Sequence, residues 1–269
     1  MGLSTDHRLH VAQATDWKDA VIALLEPRSP YRPWRYGTVE AHEGDAVAFV
    51  LNTDPPSVLA DVARVGVTDD PRAAVFDSSL REPNLVELST LAKVLSLESH
   101  AANAWYFDGD DAIKLELSLD ECRYWCAPES RFGHNTMASA RTLLRFDGRC
   151  DGCEQDIDLT GAGARDELFV HTVDQPTRSE PELGGSDVGD WPAVVCRRCR
   201  KHMDDEGYVS FVAYKFALNP PCPVCGVRRS RGTFYGMPHD FMNIPPWLHA
   251  GGCCPSSEEW CCGVCDHSW

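Results

Sequence analysis

The first hydrophobic pattern along the chain is helical. Trp17, Val21 and Leu24 fall on one face of a helix, and Asp16 or the threonine before it can cap the first turn. Pro27 has no backbone N–H to continue the helix and ends it. The pattern therefore predicts a short amphipathic helix near the start of the chain.

Two further helices are predicted later in the sequence. Asn84 and Glu87 have the spacing of a capping box, and leucines at helical spacing follow them. Residues 135–146, NTMASARTLLRF, form another helical segment. It leads directly into the first closely spaced pair of cysteines.

Strand-like patterns lie between these helices. The runs AVAFVLN and SVLADVARVG are separated by the turn TDPP, and the short run AAVFD follows. The segment NAWYF, the turn DGDD and the run AIKLELSL alternate in the manner of a β-hairpin. The order helix, strands, helix, hairpin predicts a small α+β barrel over about residues 1–130.

Length and composition set the scale of the molecule. A chain of 269 residues with 43% hydrophobic content can fill more than one core, so two or three small domains are expected. The N-terminus lacks an apolar segment of signal-peptide length, and the longest apolar runs are too short to span a bilayer. The sequence therefore predicts a cytoplasmic protein with no membrane partner.

Cysteine usage points to metal binding. The chain has thirteen cysteines, an odd number, and eight of them form four Cys-x-x-Cys pairs. Without a secretion signal, this pattern favours zinc over a disulfide scaffold. Two double pairs predict two structural zinc sites with four thiolate ligands each. The predicted ligands are Cys150, Cys153, Cys196 and Cys199 in the first site, and Cys222, Cys225, Cys262 and Cys265 in the second.

Three other cysteines leave the second ligand set open. Cys253, Cys254 and Cys261 lie close to it in sequence, and one of them could replace a predicted ligand.

In the CPVCG stretch, Gly226 stands at a position that tolerates a positive φ angle. A closed site of four thiolates has no open position for water, so zinc by itself implies no catalysis.

Charge restricts where nucleic acid could bind. The net charge of −16 argues against a surface that coats nucleic acid generally. Residues 195–231 are an exception, with eight basic residues against three acidic ones. This segment is either a local phosphate footprint or a set of solvated arginines around the zinc ligands.

The middle of the chain resembles the HNH, or ββα-metal, nucleases. The resemblance covers residues 145–210, where a Cys-x-x-Cys pair is followed by a strand ending in histidine and then by a Cys-x-x-Cys pair that opens a helix. It implies a zinc that ties a hairpin to a helix and a separate Mg²⁺ or Mn²⁺ for catalysis. The implied catalytic residues are His171, Asp174, Asp190 and His202.

The match is to a degenerate form of that family. Arg200 follows the second cysteine pair where the family often has histidine, and His202, three residues after Cys199, could replace the missing ligand. Either this part is an active nuclease, or it is a scaffold in which His171 and His202 only satisfy hydrogen bonds.

The N-terminal part resembles the EVE branch of the PUA-like fold. The stretch WRYGTVEAHEGDAVAFVLNTDPPSVLADVARVG carries the resemblance, which covers about residues 8–125. Such domains bind a flipped, modified base in an aromatic pocket and occur fused to HNH domains in modification-dependent restriction enzymes. A flipped base needs flat walls and a few polar groups for its edge. The candidate residues are Trp17, Trp34, Tyr36, Asn52, Asp54 and Trp105.

These observations together predict an α+β protein of three modules. They are an EVE/PUA-like reader at residues 1–132, an HNH-like zinc domain at 133–215, and a zinc ribbon at 216–269. The predicted function is binding, and HNH-type cleavage, of double-stranded DNA that carries modified cytosine such as 5-methylcytosine. A reader without cleavage and a zinc protein that docks on RNA or protein are the alternatives. The sequence leaves open whether a homodimer forms to cut both strands.

Overall fold

The computed structural model describes residues 7–66, 74–75, 84–94, 105–125, 131–174, 189–237 and 244–269. The chain divides into two compact units. The first contains residues 1–131, 135–147 and 158–165, and the second contains residues 132–134, 148–157 and 166–269. The boundaries expected at residues 132 and 215 stay predictions.

The first unit is a mixed sheet covered by helices. Its elements are β1 (Arg8–Ala14), α1 (Trp17–Leu25), β2 (Trp34–Arg35), β3 (Ala46–Leu51), β4 (Ser57–Val65), β5 (Ala74–Val75), β6 (Leu85–Glu87), α2 (Leu88–Val94), β7 (Tyr106–Asp108), α3 (Gly109–Trp125) and α4 (Thr136–Leu144). The strand order is β2-β1-β3-β4-β5, with β7 paired to β1 and β6 paired to β4. The combination of a sheet with helices confirms the α+β class. The predicted small barrel is wrong for the described strands, because they form an open sheet that does not close on itself.

One hydrophobic core cluster of this unit lies between the sheet and α3. β1 runs parallel to β3, and β3 runs antiparallel to β4, as the turn TDPP predicts for the latter pair. Apolar residues of all three strands pack against one face of α3, which is formed by Ala112, Leu115 and Leu119. The burial of this face holds the helix on the sheet.

The predicted helix α1 is confirmed, and its cap is Asp16. The Asp16 carboxylate accepts hydrogen bonds from the backbone N–H groups of Lys18 and Asp19, which would otherwise lack helical partners. Helix α4 is confirmed in the same way, with Asn135 accepting from the N–H of Ala138.

Two local predictions in this unit are wrong. The run AIKLELSL is part of helix α3 and not a strand of a hairpin. Its alternate apolar position Leu117 is 58% exposed, because the buried residues follow the helical period. The predicted capping box is also wrong, since residues Leu85–Glu87 pair with β4 and the helix begins at Leu88. Of the predicted strand AAVFD, only residues 74–75 lie within the described part of the chain.

The described part of the second unit contains two small sheets and the two helices α6 (Arg197–Glu206) and α7 (Phe211–Leu218). Its strands are β8 (Leu168–His171), β9 (Ala193–Cys196), β10 (Ser230–Phe234), β11 (Leu248–Ala250) and β12 (Trp260–Cys262). The short helix α5 (Ala164–Glu167) precedes β8. β8 and β9 are antiparallel, whereas β10 pairs in parallel with β11 and antiparallel with β12.

One core runs through the second unit. Phe211, Tyr214 and Trp247 are buried in the same cluster as two of the predicted zinc ligands, Cys150 and Cys199. The rings of Phe211 and Trp247 meet edge to face, with centroids 5.1 Å apart. The region of the first cysteine set and the segment that leads to β11 are therefore packed together.

None of the described helices is long and apolar enough to cross a membrane.

Candidate metal centres and base-binding surface

The first predicted set of four cysteines converges in space. The Sγ atoms of Cys150, Cys153, Cys196 and Cys199 all lie within 4.8 Å of one another. Cys153 Sγ and Cys196 Sγ are 3.8 Å apart. A tetrahedral zinc ion with Zn–S bonds of about 2.3 Å needs sulfur atoms about 3.8 Å apart. The four thiolates therefore fit a structural zinc ion.

Close packing around this set depends on a glycine. A Cβ atom at Gly152 would lie 3.0 Å from Cys199 Sγ and 3.2 Å from the Tyr214 ring, so a larger residue would require these neighbours to shift. The neighbouring residue Asp151 accepts a 2.6 Å hydrogen bond from the N–H of Val194, which ties the first cysteine turn to β9. The sequence thus places two ligands on a turn and two at the start of α6.

The second predicted set also converges. The Sγ atoms of Cys222, Cys225, Cys262 and Cys265 lie within 4.8 Å of one another, and the Cys222–Cys265 and Cys225–Cys262 distances are both 3.6 Å. Cys253 and Cys254 are exposed and belong to neither set. Cys261 is buried in β12 and is also outside both sets. The paired motifs alone therefore supply the second ligand set.

Three of the four cysteine turns share one backbone geometry. The residue after the second cysteine has a positive φ, with values of 60° at Glu154, 73° at Gly226 and 55° at Asp266. Each of these residues donates its N–H to the carbonyl of the first cysteine of its pair. The expected positive φ at Gly226 is confirmed. The fourth turn differs, because Cys196 instead caps helix α6.

Hydrogen bonds in these turns lower the pKa of one cysteine in each set. Burial raises the pKa of Cys153, but the N–H of Gln155 and nearby donors outweigh it and lower the pKa to about 7. Cys222 has a pKa lowered to about 6, because the N–H groups of Cys225 and Val224 outweigh the effect of burial. Each set thus contains one cysteine that ionises readily near neutral pH, the form that a metal requires.

The candidate catalytic histidine His171 forms a half-buried pair with Asp190. Its Nε2 donates to Asp190 Oδ2 at 2.8 Å, and its side chain is 11% exposed. Asp190 Oδ1 accepts from Ser210 Oγ and from the N–H groups of Trp191 and Val212. Burial raises the pKa of Asp190, but these hydrogen bonds hold it below its ordinary value. The carboxylate therefore anchors the start of α7 as well as the histidine.

The other two candidate catalytic residues lie in different surroundings. Asp174 is 88% exposed and lies 3.3 Å from His134 Nε2. His134 Nδ1 lies 2.9 Å from Thr172 Oγ1. His202 is on α6, where its ring meets Tyr214 edge to face and its Nδ1 lies 3.4 Å from the Tyr214 hydroxyl. His134 was not expected from the sequence, because it lies outside every motif and close to the strand only in three dimensions.

A second kind of metal site is not assembled by the described residues. The two cysteine sets are the only groups in the described part of the chain where three or more histidine, cysteine or carboxylate ligands converge. Mg²⁺ is often held by one or two carboxylates, with water and substrate phosphate completing its shell. The exposed Asp174 could take such a role without a third protein ligand.

Much of the basic segment is engaged by local partners. Arg197 pairs with Glu167, Arg200 with Asp204, and Lys201 with Asp205. Lys215 is 5% exposed and pairs with Glu154 at 2.7 Å. Arg198 lies beside the thiol of Cys153. The segment is therefore less available to phosphate than its charge suggests.

In the first unit, three of the predicted aromatic residues lie along one edge of β1. Trp34 pairs with Ala14 across β1 and β2, and the carbonyl of Trp105 accepts from the N–H of Val11. Trp105 is 36% exposed and Tyr36 is 38% exposed. A Cβ atom at Gly37 would lie 2.7 Å from Trp105 Cβ, so glycine allows the two segments to touch.

The remaining candidates lie around the end of β1. Asn52 is exposed, and its Nδ2 donates to the carbonyl of Thr15 at 3.0 Å. Trp17 begins helix α1 and is half-buried. Asp54 is exposed, and its backbone N–H donates to Thr136 Oγ1 while its carbonyl accepts from the N–H of Met137. The structure thus brings Asn52 and Trp34 to the same end of the strand, whereas Asp54 is tied to α4.

Comparisons with known proteins give no assignment. No family model, curated protein or solved structure matches this chain.

Proposed function

We propose that the first unit binds double-stranded DNA by holding a flipped base that carries a modification, such as 5-methylcytosine. The observation that supports this most is the pair of exposed aromatic residues Tyr36 and Trp105. They come from distant parts of the sequence, and Trp105 lies against Gly37, the residue after Tyr36, where the absence of a side chain permits close approach. Exposed aromatic faces at one strand edge are suited to stacking on a base.

The neighbouring polar and charged groups suit the same ligand. Arg35 is exposed next to Tyr36 and could contact a DNA phosphate. Trp34 is fixed by an edge-to-face contact with the buried Phe49, with ring centroids 4.7 Å apart. Asn52 is anchored through its amide nitrogen, and its amide oxygen can accept a hydrogen bond from the amino group of cytosine.

The test measures binding of the full chain to two duplexes that differ by one 5-methylcytosine, at fixed salt. We expect the wild type to prefer the modified duplex, and Trp105→Ala to lose that preference, since base stacking is worth about 1–3 kcal/mol. The control is Leu117→Ala, which removes a side chain that is 58% exposed on α3. Equal affinity of the wild type for both duplexes would refute the proposal.

A second candidate function is metal-dependent DNA cleavage by the second unit. Two histidine–carboxylate pairs at the end of β8 favour it, namely His171 with Asp190 and His134 with Asp174. The half-buried Asp190 orients His171, while the exposed His134 and Asp174 are accessible to water and phosphate. Mg²⁺ or Mn²⁺ bound at Asp174 would polarise the scissile phosphate.

Nicking of bound, modified plasmid with excess protein and Mg²⁺ or Mn²⁺ tests this second function. We expect His134→Ala to abolish nicking while zinc content and DNA binding stay unchanged, because the side chain is 59% exposed and packs in no core. His42→Ala is the matched control, because its side chain is also exposed, at 55%, and belongs to the first unit. If the wild type binds modified DNA and never nicks it, the reader without cleavage is the correct alternative.

A further inference from the structure

We infer that the second unit holds a binding site for a nucleoside phosphate, in a cleft beside the second cysteine set. The cleft has a volume of about 420 Å³, within the range of about 300–1,000 Å³ that is usual for small-molecule sites. It is a separate site from the base-binding surface, because all its lining residues belong to the second unit. They are Phe216, Arg229, Arg231, Ile244, Pro245, Pro246, Leu248, His249, Ala250 and Gly263.

The charge of the cleft is opposite to that of the chain. The described lining residues include Arg229, Arg231 and His249 and no carboxylate, although the whole protein carries a net charge of −16. The acidic residue Asp266 lies 3.9 Å from Arg231 and is 88% exposed, so it forms at most a weak, solvated pair. A positive cleft on an acidic protein attracts an anion locally.

Arg231 has one hydrogen-bond donor that the described residues do not satisfy. Its Nε atom is buried and has no hydrogen-bond partner among the described residues. The guanidinium lies over Gly263 at the cysteine turn, where a Cβ atom would be 3.3 Å from Nε. A buried donor without an acceptor is unfavourable, and an arginine fork matches the oxygens of a phosphate.

The apolar wall of the cleft indicates which group the ligand carries beside its phosphate. Leu248 and the two prolines Pro245 and Pro246 give a rigid apolar surface, and Phe216 is buried beneath it. A ligand that fits must carry its negative charge close to a flat apolar group. A nucleoside phosphate has both on one rigid unit, whereas an acidic peptide carries its carboxylates on a polar, flexible backbone.

The experiment is calorimetric titration of the full chain with dAMP, deoxyadenosine and inorganic phosphate in separate runs. We expect dAMP to bind at least tenfold more tightly than either part. Arg231→Gln should weaken dAMP binding at least tenfold. Arg200→Gln should leave it unchanged, because Arg200 pairs with Asp204 on α6 and does not line the cleft. Two zinc ions per chain in both variants show that the fold is intact.

A phosphorylated oligonucleotide identifies the source of the nucleotide. If a 5′-phosphorylated hexanucleotide competes with dAMP and the unphosphorylated strand does not, the ligand is a strand end. If neither competes, the ligand is a free nucleotide. The inference is overturned if a double variant with Arg231→Gln and Arg229→Gln binds dAMP as tightly as the wild type does. It is also overturned if the wild type binds a polyglutamate peptide but not dAMP. The Trp105→Ala variant should bind dAMP with wild-type affinity. Failure of the base-binding proposal can therefore be distinguished from failure of the nucleotide-site inference.

Discussion

His171 and Asp190 hold each other in place at the end of β8, with Nε2 donating to Oδ2 over 2.8 Å. Because Asp190 also accepts from Ser210 and from two backbone N–H groups, the carboxylate has a structural role whatever the histidine does. Substitution of Asp190 should therefore lower the stability of the protein whether or not His171 takes part in catalysis.

We expect Asp190→Asn to lower the free energy of unfolding by about 1–3 kcal/mol, since it weakens a half-buried set of hydrogen bonds to a charged group. Urea unfolding at pH 7 with zinc present measures the change. Asp174→Asn is the control, because Asp174 is 88% exposed and its loss should change stability little. Equal stability of the two variants would contradict the structural role of Asp190.

Elemental analysis should give two zinc ions per chain after purification without chelators. Cys153→Ser should reduce the ratio to one, because it removes a ligand from one set of four thiolates. Cys254→Ser should leave two, since this exposed thiol belongs to neither set. A ratio of one in the wild type would mean that one of the sets does not hold zinc.

Gly37→Ala should destabilise the first unit and weaken any preference for modified DNA. The new Cβ would lie 2.7 Å from Trp105 Cβ, so one of the two segments must move. Gly163→Ala is the matched control, because its Cβ would meet no atom within 4 Å. Thermal unfolding and duplex binding of both variants test this, and wild-type behaviour of Gly37→Ala would show that the contact is not important.

The buried pair His10 and Asp45 predicts a pH dependence of stability. Burial raises the pKa of Asp45, but hydrogen bonds from the His42 N–H and the His10 ring, with the charge of Arg8, hold it below its ordinary value. The ordinary pKa of aspartate is about 3.9. Stability from Asp45 is therefore complete above that pH and is lost as the pH falls through the lower, folded-state pKa.

Urea unfolding of wild type and Asp45→Asn, followed by tryptophan fluorescence from pH 7 to pH 3, measures this contribution. Acid also releases zinc from both proteins, so the compared quantity is the difference between them at each pH. We expect a difference of about 1–3 kcal/mol at pH 7 that shrinks below pH 4. Asp110→Asn, at an exposed position, is the control, and a difference that grows with acid would be inconsistent with the lowered pKa.

The sequence predicts the helices and strands whose formation depends mainly on residues close together in the chain. Helix α1 follows from its apolar face and the Asp16 cap, and β3 and β4 follow from two apolar runs around TDPP. Strand β1 was missed, because its segment RLHVAQA alternates poorly and includes the buried His10. Its parallel pairing with β3 is a long-range interaction that no short sequence window contains.

The same distinction applies to the candidate sites. The cysteine spacing predicts both ligand sets, because each Cys-x-x-Cys motif places two ligands within one short turn. Only the question of which two motifs share a site depends on distant parts of the chain. His134 could not be predicted, since its neighbour Asp174 is forty residues away in sequence and the contact depends on the tertiary fold. The cleft lined by Arg231 was likewise unforeseen, because its walls come from four separate segments.

The separation of the cysteine pairs has a consequence for how much the intervening chain can vary. Cys153 and Cys196 are 43 positions apart, so a metal that joins them closes a long loop. Closing a loop of this length costs about 4 kcal/mol in chain entropy, and doubling its length adds only about 0.6 kcal/mol. A zinc ion at these thiolates would therefore tolerate changes in the length of the chain between Cys153 and Cys196. Insertions in that segment should lower the free energy of unfolding far less than the loss of one zinc ligand.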